Sequence, residues 1–422
     1  MTMRSHFISL AALLASTVAG AQAAPPATPT APRIGAPIAF TGATLIDGTG
    51  KPAVANAVIV VSKGRITAIG TNGAVTIPRD AERVALNGKF IVPGLINSHG
   101  HVNTPADLHT YAVYGVTTVI SLGGESDSIF AARAAQNVAD LDRTRVYLAG
   151  PVLTPSTPDE ARRMVADDAN RKVDWVKIRV DDNLGTATKM SPEVYRAVIE
   201  EAHKRNLRVA SHLYYLADAN GLLDAGTDFI AHSVRDLDVD AAFVTKLKSS
   251  GRCYTPTLMR EVSTYIYEST PAFFTDSAFL QYANKEWVAA GRDPVKQDAV
   301  RKSASAQKYK AQLAVANRNL KKLADAGVPI AMGTDTGPTG RFQGYFELME
   351  LEMMVKAGMP AAAALNSANA VAARCMGIDK DLGTLETGKW ADFVVLEDNP
   401  LTNIVNVRHI NSVFIAGNRV PR

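Results

Sequence analysis

The chain has 422 residues, of which 47% are hydrophobic and 20% are charged, and its formal net charge is +4. This composition is that of a globular protein with ample material for a core, and the length suits one large barrel with an accessory domain, or two to three domains. So small a charge argues against a dedicated nucleic-acid-binding protein, which would cluster lysine and arginine on one face.

The N-terminal segment is predicted to be a targeting sequence followed by a leader. Arg4 precedes the apolar run 7–18, and residues 21–23 have the small-x-small pattern of a cleavage site. We therefore predict a signal peptide over residues 1–23 and a flexible, proline-rich leader over residues 24–37. A membrane anchor is the alternative, but a run of about a dozen apolar residues is short for a bilayer. The expected protein is exported, periplasmic or secreted, and has no stable membrane anchor after cleavage.

Two flanking segments have β character. Short apolar runs alternate with turn signals over residues 38–92, and the pattern returns over residues 380–422. We expect these segments to pair in a small β-sandwich domain that is built from both ends of the chain.

Residues 93–379 alternate between strand-like runs and helical segments, which is typical of a parallel α/β sheet. Helices are predicted over residues 191–205, 216–225, 239–249, 346–357 and 361–376. Eight strand candidates predict a (β/α)8 TIM-like barrel with its active site at the C-terminal ends of the strands, and a doubly wound open sheet is the competing fold. These candidates are residues 91–101, 117–122, 145–149, 175–180, 208–212, 228–232, 252–257 and 329–335.

An insertion separates the seventh and eighth strand candidates over residues 265–310. It would lie over the active site as a lid or specificity element, or form a peripheral helical excursion without a catalytic part.

The two cysteines, Cys253 and Cys375, are assigned to a late strand and a late helix. Export permits a disulfide bond. Because no sequence feature connects the two residues, we expect buried free thiols and keep a structural disulfide as the alternative.

The first strand candidate ends in His99-Gly100-His101. Residues i and i+2 of a strand point to the same side, so both imidazoles can be directed at one point. Imidazole is the commonest protein ligand for zinc and similar ions. A pair of hydrogen-bonded histidines would explain this motif alone.

Four further polar residues lie on other predicted strands. His212, His232 and Asp335 stand at C-terminal strand ends, and Lys177 lies in a strongly apolar run, where a charge is expensive unless it is used. Each has an ordinary structural explanation by itself. Together with the histidine pair, they predict a metal site at the mouth of the barrel.

These motifs resemble the amidohydrolase superfamily, in particular the branch of imidazolonepropionase-like proteins and Xaa-Pro dipeptidases. The resemblance extends over residues 38–416. The segments that carry it are residues 93–101, 175–178, 209–212, 229–232, 333–335 and 383–396.

The resemblance implies a binuclear metal site. His99 and His101 would bind the more buried ion with Asp335, and His212 and His232 would bind the second. Lys177, carboxylated by CO₂, would bridge both ions. Zinc is the first expectation from the histidine-rich set, with manganese or cobalt as alternatives. A bridging water would be deprotonated to hydroxide, with Asp335 as the general base and then the general acid.

One position departs from the family pattern, which usually has aspartate where this chain has Asn97. The residue precedes the ligands and is not normally one of them. We therefore expect a change in local hydrogen bonding and not in metal binding.

The expected substrate is a small molecule with an amide-type bond, a dipeptide or an N-acyl amino acid. Tyr214, Arg235 and Arg260 follow the ligand strands and are the candidate substrate-binding residues, since arginine can hold a carboxylate through paired hydrogen bonds. The alternatives are a lactone or ester hydrolase and an exported metal-binding barrel without catalysis. Homo-oligomerisation stays open.

Overall fold

The computed structural model describes residues 36–422. The predicted signal peptide and most of the predicted leader lie outside the described residues. None of the helices within residues 36–422 combines the length and the apolar character that a membrane span requires.

The chain begins with a β-rich segment. Its strands are β1 (Ile38–Leu45), β2 (Val54–Ser62), β3 (Arg65–Thr71), β4 (Glu82–Ala85) and β5 (Phe90–Pro93). Strands β2 and β3 are antiparallel and are joined by Lys63 and Gly64, whose φ angles are 51° and 79°. Two consecutive positive φ angles are what a two-residue hairpin turn requires.

The middle of the chain provides parallel strands. They are β6 (Leu95–Gly100), β7 (Val116–Ser121), β8 (Arg145–Leu148), β9 (Val152–Leu153), β10 (Trp175–Arg179), β11 (Arg208–His212), β12 (Phe229–Ala231) and β13 (Cys253–Thr255). One sheet has the order β6-β7-β8, and a second has the order β13-β12-β11-β10-β9. Every residue of β6 and β7 is buried, as expected for parallel strands that are covered on both faces.

Helices connect these strands and follow the last of them. They are α1 (Pro105–Val113), α2 (Asp127–Ala134), α3 (Pro158–Asn170), α4 (Pro192–Lys204), α5 (Leu216–Ala225), α6 (Ala241–Ser250), α7 (Leu258–Ser263), α8 (Ser277–Tyr282), α9 (Lys285–Arg292), α10 (Pro294–Lys302), α11 (Ala304–Asp325), α12 (Tyr345–Lys356), α13 (Ala361–Ser367) and α14 (Ala370–Met376). Short 3-10 helices cover Ile266–Glu268, Ala272–Thr275 and Ile404–Arg408. The fold is therefore of the mixed α/β type.

The helix predicted over residues 361–376 is wrong in one respect, because the chain breaks between α13 and α14. The amide of Asn369 donates to the carbonyls of Pro93 and Gly94 at 3.1 Å each. The backbone N–H of Ile96 donates to the carbonyl of Ala368 at 2.7 Å. The break thus supplies hydrogen bonds to the beginning of β6, which an uninterrupted helix could not do.

The eighth strand candidate, residues 329–335, is an extended segment and not a regular strand. The backbone N–H of Ala331 donates to the carbonyl of Tyr254 at 2.9 Å, and that of Asp335 donates to the carbonyl of His99 at 2.6 Å. The segment therefore bonds to β13 on one side and to β6 on the other. Asp335 has a φ of 60°, which interrupts the extended geometry.

The C-terminal strands are β14 (Phe393–Leu396), β15 (Ile410–Ile415) and β16 (Asn418–Arg419). They join the N-terminal strands in one mixed sheet of order β16-β15-β14-β5-β1-β2-β3, with β4 paired to β1. The small β domain expected from both ends of the chain corresponds to this single mixed sheet. Its two parts share β1, whose first half pairs with β4 and whose second half pairs with β5.

Cys253 of β13 and Cys375 of α14 form a disulfide bond, with their Cα atoms 5.9 Å apart. The expectation of two free thiols is therefore wrong. The residues are 122 positions apart in sequence, and it is the tertiary packing of strand against helix that brings them together.

Candidate metal centre

Three of the expected ligands meet where β6 and the extended segment end. Oδ1 of Asp335 lies 2.9 Å from Nε2 of His101 and 3.4 Å from Nε2 of His99. One ligand atom from each residue lies within 4.8 Å of the others. The backbone segments that carry His99 and Asp335 pack closely against each other, since a Cβ atom on Gly333 would lie 2.9 Å from Cβ of His99. This arrangement can hold one cation.

His212 and His232 lie beside this group. The ring centroid of His232 is 4.2 Å from that of His212 and 4.4 Å from that of His99. Nδ1 of His232 lies 2.8 Å from the hydroxyl of Thr257, which leaves Nε2 as the available ring nitrogen. The structure therefore brings all four strand-end histidines into one cluster.

The free nitrogens of this cluster fit a bound cation. Among the described residues, Nε2 of His232 is buried and has no hydrogen-bond partner, while Nδ1 of the same ring faces Thr257. Burial holds the pKa of His99 and His232 well below the ordinary value, and it lowers the pKa of His212 to about 4. The imidazoles are thus neutral near pH 7, which is the form that binds metal. Buried nitrogens without partners cost free energy, and a cation would remove that cost.

Lys177 contacts the same cluster through His99. Its side chain is buried in β10, and Nζ lies 3.1 Å from Nε2 of His99. Burial lowers the pKa of Lys177 to about 7. A large fraction of the amine is therefore uncharged and nucleophilic at neutral pH.

The backbone around the cluster adopts rare conformations. Three residues other than glycine have positive φ angles here, namely His232 at 96°, Thr257 at 44° and Asp335 at 60°. Such conformations cost about 1–3 kcal/mol each and are concentrated at functional sites. The fold therefore holds two expected ligands and the hydrogen-bond partner of one of them in strained positions.

A buried carboxyl group connects the two ligand segments. Oε1 of Glu347 accepts hydrogen bonds from Asn97 at 2.6 Å, Thr334 at 2.7 Å and Thr336 at 2.6 Å. Asn97 also accepts a bond from the backbone N–H of His99 at 3.0 Å. The amide of Asn97 can donate to Glu347, whereas an aspartate there would place two carboxyl groups together. Sequence reasoning missed Glu347, which is separated from the ligand motifs.

Arg235, an expected substrate-binding residue, is 0% exposed. Its Nη1 donates to the carbonyls of Leu213 at 3.1 Å and Ser233 at 2.6 Å, and its Nε lies 3.1 Å from Oε2 of Glu261. These contacts are all internal. They correct the expectation, because they give Arg235 a structural role.

The other two expected substrate-binding residues differ in position. Tyr214 is 1% exposed, and its hydroxyl donates to Gln312 of α11. Arg260 is at the cluster, with Nε 4.0 Å from Oδ2 of Asp335. Of these two, Arg260 is the residue that the structure places against an expected ligand.

Arg341 was not expected and contacts the cluster directly. Its Nη1 donates to Oδ2 of Asp335 and lies 3.3 Å from the carbonyl oxygen of the same residue. Its side chain is 20% exposed. The sequence signal was weak, namely one basic residue in a glycine-containing loop that follows the aspartate motif.

The insertion packs near the metal-site segments and leaves a cavity of about 400 Å³ beside them. The wall from the insertion includes Phe279, Tyr282 and Trp287, and the opposite wall includes Asn103 and Gln343. Asn103 donates to the carbonyl of Gly337 at 3.0 Å, and Gln343 lies 3.4 Å from the carbonyl of His101. The cavity therefore adjoins the backbone of the cluster.

Comparison with known families agrees with this site. Residues 90–420 match the Amidohydrolase family. The chain belongs to the amidohydrolase family. It is a hydrolase that acts on carbon–nitrogen bonds of the amide or peptide type, as the family and the structurally similar hydrolases indicate.

Two relatives in sequence extend the comparison. An uncharacterized protein of Mycobacterium tuberculosis is 26% identical over 396 residues, which cover 88% of this chain and 94% of that protein. An ochratoxinase of Aspergillus niger is 27% identical over 306 residues, which cover 69% of this chain and 56% of that protein.

Solved structures share the fold. A candidate prolidase from Bifidobacterium longum has a TM-score of 0.74 and 26% identity, and the match covers 92% of this chain and 95% of that chain. A Xaa-Pro dipeptidase with bound methionine has a TM-score of 0.74 and 20% identity, with coverage of 92% and 100%.

Proposed function

We propose that the chain is an exported, binuclear metal-dependent amidohydrolase that cleaves the amide bond of dipeptides or N-acyl amino acids. The observation that supports this most strongly is the convergence of four imidazoles, a buried lysine and an aspartate in one cluster. The family match and the similarity to a candidate prolidase support the amide-type substrate.

In this proposal, each side chain of the cluster has one role. His99, His101 and Asp335 would hold one ion, His212 and His232 would hold the other, and Lys177, once carboxylated by CO₂, would supply an anionic oxygen ligand. Zinc suits the imidazole-rich donor set, and manganese or cobalt would also fit. When bound, the two ions supply water activation and polarisation of the scissile carbonyl. Asp335 accepts the proton of the attacking water and delivers it to the leaving nitrogen.

We also propose that the parallel strands close into a (β/α)8 barrel over residues 93–379, beside a β domain of residues 38–92 and 380–422. Two sets of contacts between the separate sheets support closure. The extended segment 329–335 bonds to β13 and β6. On the opposite side, the backbone N–H of Asp174 donates to the carbonyl of Leu148 at 2.8 Å.

Export to the periplasm or the medium is part of the same proposal. The disulfide between Cys253 and Cys375 supports it, because such bonds persist in oxidising compartments. Fractionation of cells that express the full chain tests it. Full-length protein in the cytosolic fraction would contradict export.

The enzymatic proposal is tested by screening the purified protein, loaded with zinc, manganese or cobalt, against dipeptides, N-acyl amino acids and lactones. Hydrolysis of the amide substrates is the expected result. Hydrolysis of lactones alone would replace the proposal with an ester-type hydrolase. Stoichiometric metal without turnover would indicate a binding protein.

The Asp335→Asn variant is the matched control for this screen. It should lose turnover and retain most of the bound metal, because the amide still offers an oxygen ligand but cannot carry the proton. Full activity in this variant would contradict the role of Asp335.

A further inference from the structure

We infer that Arg341, assisted by Arg260, binds a carboxylate group of the substrate, so that the enzyme selects substrates with a free carboxylate on the leaving-group side. This inference rests on the proposed amide hydrolysis. It assigns recognition of the carboxylate that dipeptides and N-acyl amino acids carry to Arg341, a residue that the ligand motifs do not include.

Two guanidinium groups face the same carboxylate oxygen. Nη1 of Arg341 donates to Oδ2 of Asp335, and Nε of Arg260 lies 4.0 Å from that atom. The other oxygen, Oδ1, faces His99 and His101. Asp335 therefore presents one oxygen to the imidazoles and the other to the arginines. A single carboxylate oxygen cannot fully use two guanidinium groups, which suit bidentate binding of a whole carboxylate.

Arg260 is preorganised for an anionic partner. It is 7% exposed, and its Nη1 and Nη2 are held by Glu261 at 3.2 Å and by the hydroxyl of Tyr309 at 3.3 Å. Within the described residues, its buried Nε has no hydrogen-bond partner. A buried donor without a partner is costly, and an anion placed between Arg260 and Arg341 would satisfy it.

Arg341 is free to change partner. The loop that carries it is closed by backbone bonds, from Gly337 N–H to the Arg341 carbonyl at 3.0 Å and from Arg341 N–H to the Pro338 carbonyl at 2.9 Å. These bonds do not involve the side chain, which is 20% exposed. The guanidinium can therefore move from Asp335 to an incoming carboxylate without rearrangement of the loop, and this movement leaves Oδ2 of Asp335 available.

The first experiment compares each hydrolysed dipeptide or N-acyl amino acid with its C-terminal carboxamide. In Arg341→Met, kcat/KM for the carboxylate substrate should fall by about 10- to 100-fold, mainly through KM, because one charge-assisted interaction is lost. The value for the carboxamide should change less than about 3-fold. Arg318→Met is the control, because Arg318 pairs with Asp238 on the exposed face of α11. An equal loss on both substrates would overturn the inference while the hydrolase function stands.

A binding measurement does not depend on turnover. L-Leucine and L-leucinol share the side chain and the amine and differ in the carboxylate, and neither has a scissile bond. Calorimetry on the metal-loaded wild-type protein should show at least about 10-fold tighter binding of leucine, and Arg341→Met should lose that preference. If the library shows no hydrolysis but this preference depends on Arg341, the proposed function fails and the inference stands. If the preference is absent or survives in Arg341→Met, the inference fails.

Discussion

The amine nitrogen of Lys177 lies 3.1 Å from Nε2 of His99, so two nitrogen bases face each other in a buried site. A protonated lysine beside the metal-binding imidazoles would repel cations. Because burial lowers the pKa of Lys177 to about 7, the amine becomes uncharged as the pH rises above that value. The uncharged amine can add CO₂ and become an anionic oxygen ligand.

Metal loading should therefore depend on bicarbonate and on pH. Apoprotein reconstituted at pH 8 with bicarbonate should bind about two ions per chain, as two ligand groups predict. Without CO₂, or well below pH 7, it should bind fewer. Lys177→Met should lose the second ion and activity under all of these conditions, whereas Lys246→Met, in an exposed pair with Asp224, should not. Metal analysis after gel filtration measures the effect. Full loading of Lys177→Met would contradict the bridging role.

Glu347 should make the stability of the protein depend on pH. Burial raises the pKa of its carboxyl group from 4.5 to about 7, despite the hydrogen bonds from Thr336 and Thr334. The folded state thus binds the proton more tightly than the unfolded state. This tighter proton binding stabilises the folded state fully below about pH 4.5. The stabilisation, about 3 kcal/mol in total, is lost as the pH rises to about 7.

The Glu347→Gln variant tests this dependence, since the neutral amide keeps an oxygen acceptor for Asn97, Thr334 and Thr336. Denaturant unfolding of both proteins between pH 4.5 and pH 8 should show a flatter profile for the variant. The sign matters, because the free energy of unfolding of the variant relative to the wild type should increase with pH. Parallel profiles would show that Glu347 has an ordinary pKa.

The cluster of four histidines could be predicted from sequence because each histidine is at the end of a predicted strand. The spacing of His99 and His101 along a strand predicts that both side chains point to the same side. A parallel fold then brings the strand ends together. Arg341 and Glu347 carry no such local signal, since their positions depend on how the loop after Asp335 and helix α12 pack against β6. The break before Asn369 could not be predicted from the local sequence either, because the hydrogen bonds that accompany it are made to a distant segment of the chain.

The disulfide could not be predicted from sequence either, because tertiary packing alone brings its two cysteines together. Its effect on stability can be tested. Closing a loop between Cys253 and Cys375, which are 122 residues apart, should stabilise the fold by about 2–5 kcal/mol. Reductant should therefore lower the Tm of the wild-type protein. The Cys253→Ser/Cys375→Ser variant should have a lower Tm that does not respond to reductant. A wild-type Tm that is unaffected after complete reduction, verified by thiol titration, would contradict a stabilising role.

Replacing Arg235 can distinguish a structural role of this residue from a role in substrate binding. Its ion pair with Glu261 is fully buried, and replacing it with methionine leaves a buried carboxylate with Arg260 as its remaining ionic partner. Loss of one partner from such a pair costs about 3–5 kcal/mol. Arg235→Met should therefore lower the free energy of unfolding by about 3 kcal/mol, and Arg235→Met/Glu261→Gln should recover part of this loss. At temperatures where the variant stays folded, KM should change less than about 2-fold, since the side chain has no exposed surface. A large KM increase in a fully stable variant would instead restore Arg235 as a substrate-binding residue.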